Sequence, residues 1–174
     1  MADGPVGVRV GKATAMPSTM ALAATFNRSL AWKYGAVLAA ETKSKGNDML
    51  FGPTIDIMRT PLAGRSFETF GEDPLLTSEL TVPYIEGVQD NGVIATAKHY
   101  VGNNQEGWGG ADADKALPGT SPAGLVHDGA RTMVDARISE RAMQEIYLPA
   151  FVAAVREAKV EAVMCAYNKV NTNY

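Results

Sequence analysis

The sequence predicts an α/β fold in which parallel strands alternate with helices, and three observations carry that reading. Segments with apolar residues three and four positions apart alternate with short apolar runs. Those runs, "MLFGPTIDI", "VIATAK" and "EAVMCAY", are nearly continuous, as strands covered on both faces should be. The resulting order, helix then strand three times over, implies parallel strands joined by right-handed helical crossovers.

Each element has a local reason. The first helix is expected from about Ser29 to Lys45, with Leu30, Tyr34, Val37 and Leu38 on one face, Asn27 as its cap and Gly46 as its stop. The second is expected from about Leu75 to Asp90, ended by Asn91-Gly92 and bent at Pro83, which lacks a backbone donor. The third runs from about Ser139, its cap, to Lys159, with a kink at Pro149. A further strand end is expected at Met1-Ala2. Between Gly107 and Asp135 a stretch rich in Gly, Ala, Asp and Pro reads as a long excursion after the "VIATAK" strand.

Composition narrows the partners. A net charge of −3 gives no reason to expect nucleic acid or an anionic membrane. No apolar stretch approaches the roughly 20 residues that cross a bilayer, and the N-terminal residues have no signal-peptide character. Cys165 is the single cysteine and is expected as a small buried hydrophobe. The two histidines, His99 and His127, are too few for a clustered zinc site, so no metal or cofactor is expected. Both ends read as cut, which makes the chain an expected fragment of a longer one.

Each apolar run is followed by polar residues. They are Asp3 and Arg9; then Asp56, Arg59, Arg65, Glu68, Glu72 and Asp73; then Lys98, His99, Asn103, Asn104 and Glu106; then Tyr167, Asn168 and Asn171. The C-terminal ends of parallel strands share one face, and ligands bind there. These residue types suit a polyhydroxylated ligand, because charged side chains make strong hydrogen bonds to hydroxyls. A phosphate ligand is disfavoured, since neither a P-loop nor a dinucleotide fingerprint is present. Among the remaining polar residues, Asp73 and Glu72 are read as ordering the loop before the second helix, Arg59 as a partner of Asp56, and Trp108 as a weak candidate for an outer sugar contact.

The ordered segments "ADGPVGVR", "AGRSFETFGEDP", "ATAKHYVGNNQE", "SERAMQEIYLPAF" and "AVMCAYNKVN" resemble glycoside hydrolase family 3, and in particular its β-glucosidases. The resemblance implies a partial (β/α)8 TIM-like barrel, about its first half, occupying residues 1–174 with the excursion at 107–135 inside it. It implies a retaining β-glycosidase acting on terminal β-D-glucosyl residues of a β-glucoside or oligosaccharide. Asp3, Arg9, Arg65, Lys98, His99, Met164 and Tyr167 are implied as substrate-binding residues. The nucleophilic aspartate and the acid/base glutamate are expected beyond residue 174, together with the rest of the barrel and a second domain. The chain alone is therefore expected to be inactive. A non-catalytic sugar-binding half-barrel and a β-xylosidase are the alternatives.

The pair Lys98-His99 raises a geometric requirement. Neighbouring residues of a regular strand point to opposite faces. For both side chains to reach one ligand the backbone must be irregular, so a bulge or a cis non-proline bond is expected between Lys98 and Tyr100.

Overall fold

The computed structural model describes residues 1–106 and 134–174. The first five elements are β1 (Ala2–Asp3), α1 (Thr19–Ala23), a short helix the sequence reading did not include, α2 (Arg28–Ser44), β2 (Met49–Phe51) and α3 (Pro74–Gln89). They are followed by β3 (Ile94–Tyr100), β4 (Asp135–Ala136), α4 (Pro149–Arg156), β5 (Ala162–Cys165) and β6 (Lys169–Val170). Short 3-10 turns at Pro61–Ala63 and Ser66–Glu68 fold the β2–α3 connection. Residues 107–133, with Trp108, His127 and most of the expected excursion, lie outside the described residues.

Strands β1, β2, β3 and β5 form one parallel sheet in that order, with α2, α3 and α4 as the crossovers. This is the arrangement of a partial (β/α)8 barrel. The register sets Ala2 beside Leu50, Leu50 beside Ala95 and Ala97 beside Val163. The side chains of Ala2, Leu50, Ala95 and Ala97 join Leu38, Tyr84, Val88 and Phe151 from the helices in one core.

Helix limits follow local chemistry. The Asn27 side chain accepts from the Leu30 amide, and Gly46 takes a positive φ just past the end of α2. Asp73 caps α3 by accepting from the Leu76 amide, 2.7 Å away, which is the loop-ordering role read for it. Helix α3 runs unbroken through Pro83. The third helix is interrupted where Pro149 predicts a kink. After the Ser139 cap, a turn at Glu140–Ala142 widens into a π-type segment at Met143–Tyr147, and α4 restarts at Pro149.

Helices α2 and α3 pack backbone to backbone through two glycines. A Cβ at Gly35 would overlap the Tyr84 carbonyl oxygen, and one at Gly87 would overlap the Trp32 carbonyl oxygen. This reciprocal contact brings the two helices closer than side-chain packing allows.

Two expectations are corrected. Cys165 is exposed rather than buried. It lies on β5, the outermost strand of the sheet, whose successive residues point to opposite faces and alternate between half-buried and exposed. A second, two-stranded parallel sheet, β4 with β6, was not foreseen. Its strands are two residues each, too short to leave a periodic signal.

Candidate functional site

The C-terminal ends of the strands bring a set of charged side chains together. Asp3 ends β1. Its Oδ1 accepts from Lys98 Nζ at 2.7 Å and its Oδ2 from Arg9 Nη1 at 3.0 Å. Arg9 reaches on through Nη2 to Glu68 Oε1 at 2.8 Å. The other oxygen of Glu68 accepts from Arg65 Nη2 at 2.6 Å and from Thr54 Oγ1 at 3.4 Å. Arg65 Nη1 faces Glu106 Oε1 and His99 Nε2, each at 3.2 Å. The far side of the His99 ring meets Asp56 Oδ2 at 2.8 Å.

The irregularity required at Lys98-His99 is present. The β3–β5 register shifts between Lys98 and Tyr100, and the Lys98–His99 and Tyr100–Val101 peptides are cis. Lys98 and His99 both contribute to this network, Lys98 through Asp3 and His99 through Arg65.

The network has a buried layer and an open one. The side chain of Glu68 is 1% exposed and that of Lys98 2%, whereas that of Asp3 is 35% exposed. Burial pushes the Asp3 carboxyl up. The Lys98 ammonium that hydrogen-bonds it, with Arg9 and Arg65, outweighs burial and holds it below its ordinary value. Glu68 behaves alike: burial raises it, and Arg65, Lys98 and Arg9 more than reverse the effect. For Lys98 burial prevails and lowers the ammonium, against the pull of Asp3. The cations Arg9, Arg65 and Lys98 nearly balance the carboxylates Asp3, Asp56, Glu68 and Glu106. Such a site presents many fixed donors and acceptors with little net field, which suits a neutral polyhydroxylated molecule better than a phosphate.

Of the sequence-predicted residues, Asp3, Arg9, Arg65, Lys98 and His99 are joined directly. Met164 pairs in register with Lys98 on β5. Tyr167 lies past the end of β5, 58% exposed. The Asp56–Arg59 pairing is corrected: Asp56 binds His99, and Arg59 donates to the Arg137 carbonyl oxygen. In a strand-end segment the register decides which neighbour a carboxylate meets, and the register places Asp56 under β3. Asn168 and Asn171 serve the loops, donating to the carbonyls of Val101 and Ile138.

The sequence reading gathered Asp56, Glu68 and Glu106 with the polar residues after the strands but gave none of them a binding role. The one local signal was the three-residue spacing of Arg65 and Glu68. Among the described residues no group of three or more His, Cys, Asp or Glu side chains is placed to hold a metal.

Comparison with known proteins gives a consistent picture. The sequence model described as "Glycosyl hydrolase family 3 N terminal domain" matches residues 2–173. A β-glucosidase of Bacteroides ovatus, BoGH3A, is 45% identical over 98% of this chain and 22% of its own length. The structure of β-glucosidase 3B from Thermotoga neapolitana in complex with glucose superposes with a TM-score of 0.84 at 38% identity, over 99% of this chain and 22% of that one. DesR, a β-glucosidase from Streptomyces venezuelae in complex with D-glucose, gives 0.81 at 36% identity, over 98% of this chain and 19% of that one. The chain thus spans about a fifth of the length of these relatives.

Proposed function

The chain belongs to glycosyl hydrolase family 3, and on that premise we propose that it carries the sugar-gripping part of a retaining β-glucosidase. The bound group is a terminal β-D-glucosyl residue. Its hydroxyls are taken by Asp3, Lys98, Arg65 and His99, with Arg9 bracing Asp3, and Met164 and Tyr167 flank the ring from the β5 side. The observation that carries this reading is the half-open Asp3 carboxylate held 2.7 Å from buried Lys98. A carboxylate so fixed accepts from two vicinal hydroxyls without rearranging, and the ammonium beside it donates to one of them.

None of the site's carboxylates is assigned as nucleophile or acid/base. A retaining glycosidase needs two carboxyl groups about 5–5.5 Å apart across the scissile bond. Asp3, Glu68 and Glu106 are each paired with a cation, and Asp56 with His99. We place neither reactive carboxyl group among these four residues.

Titrating the 174-residue chain with glucose, followed by chemical-shift changes at His99 and Lys98, tests the proposal. Saturable shifts that vanish in Asp3→Ala support it. An Asp3→Ala chain that binds glucose as well as the parent would overturn it. No release of p-nitrophenol from p-nitrophenyl β-glucoside is expected from this chain alone, and turnover by it would refute the assignment of the reactive carboxyls.

A further inference from the structure

We propose that Asp56 is a positioning residue for His99, and that it acts through the placement of one oxygen rather than through its charge. Oδ2 of Asp56 accepts two hydrogen bonds from the same residue, one from the His99 backbone N–H at 3.1 Å and one from ring Nδ1 at 2.8 Å. On the opposite side of the ring, Nε2 faces Arg65 Nη1 at 3.2 Å. A guanidinium only donates, so Nε2 must accept and cannot carry a proton. Both contacts therefore demand one species, the neutral imidazole with its proton on Nδ1. The two bonds to Oδ2 lock the ring plane, the tautomer and the peptide that starts the irregular stretch of β3.

The second oxygen of Asp56 takes no part in holding His99. Oδ1 is buried and has no hydrogen-bond partner among the described residues. It belongs to a residue lining a small cavity of about 20 Å³, which Asn103 and Asn104 also line. Each of these asparagines likewise has a buried Oδ1 without a partner. An asparagine at position 56 would keep its carbonyl oxygen where Oδ2 now sits and accept both bonds. Its amide N–H groups would enter a cavity lined by Asn103 and Asn104, whose unpartnered Oδ1 atoms can accept from them. The carboxylate is thus replaceable by an amide, whereas removing the oxygen leaves a buried peptide N–H and a ring N–H unpaired.

The inference deepens the sugar-site reading, on which it rests only for what the site binds. It is tested by long-range ¹H–¹⁵N spectra of the imidazole in a chain carrying His127→Gln, which leaves His99 as the single histidine. The parent and Asp56→Asn should both show the Nδ1–H tautomer with a bare Nε2, and Asp56→Ala should lose it. If glucose binds the parent, Asp56→Asn should bind within about twofold of it and Asp56→Ala about tenfold more weakly, the equivalent of one hydrogen bond lost. An Nε2–H tautomer in the parent, its loss in a folded Asp56→Asn, or its retention in Asp56→Ala each overturns the proposal. Should Asp56→Ala not fold, the Asp56→Asn spectrum decides alone. A correct tautomer without any glucose response would sink the sugar-site reading and leave the positioning role standing.

Discussion

Asp3 and Lys98, 95 positions apart in sequence, meet at 2.7 Å where the ends of β1 and β3 open on the same face of the sheet. The ammonium is buried and the carboxylate half-open, so each partner has a distinct response to mutation.

Lys98→Met should separate binding from stability. The substitution removes a buried ammonium that burial already disfavours, and Asp3 can rehydrate while keeping Arg9. Stability should change by no more than about 1 kcal/mol, measured by urea denaturation. Glucose affinity should fall at least about tenfold, because a charged donor to a hydroxyl is lost. Equal losses in both would mark Lys98 as a structural residue only.

Glu68→Gln should do the reverse. Glu68 accepts from Arg9, Arg65 and Thr54 in a fully buried position. Losing its charge removes the buried counter-ion that Arg9 and Arg65 share and leaves them only Asp3 and Glu106, at a cost of about 3 kcal/mol. A urea midpoint equal to the parent's would show that the network contributes nothing to folding.

Acid should unfold the chain through these same carboxylates. Asp3 and Glu68 are held below their ordinary values of 3.8 and 4.5. Groups lowered by folding stabilise the folded chain fully above their unfolded values, and that stability is lost as pH falls through the folded ones. Denaturation midpoints should be flat from pH 7 to about 5 and drop below about 4.5, and Glu68→Gln should show a shallower drop. A parent and variant with parallel pH profiles would contradict this.

Gly35→Ala should destabilise, although the same change inside a helix ordinarily gains about 1 kcal/mol. The new methyl would meet the Tyr84 carbonyl, which belongs to the backbone of α3 and cannot turn away. A loss of about 3 kcal/mol is expected, read from thermal or urea unfolding. A more stable variant would show that α2 and α3 can separate freely.

Arg65→Lys should not rescue function. Arg65 uses one nitrogen for Glu68 and the other for Glu106 and His99. A lysine offers one point charge where a planar fork is needed. Glucose binding should weaken about tenfold, and lysine matching arginine in titration would disprove the fork's importance.

Much of this was legible in the sequence. The bounds of α2 and α3 fell within one residue of their expected places, because Asn27, Asp73 and Gly46 act on the turn next to them. The demand for an irregular backbone at Lys98-His99 followed from two adjacent residues that the resemblance sets on one ligand. The buried carboxylates did not show. Nothing local distinguishes Glu68, fully buried, from exposed Glu72, and the partner of Asp56 depends on how β2 and β3 align.

The sequence by itself determined the order of helices and strands, their caps and stops, and the concentration of polar groups after each strand. These depend on spacing and on neighbours within a turn. Only the tertiary structure decided that Asp3 meets Lys98, that Glu68 joins Arg9 to Arg65, and that Cys165 is exposed on the edge strand β5. Those outcomes depend on strand register and on which strand lies at the edge, and both are fixed when distant segments pack rather than by any one segment's residues.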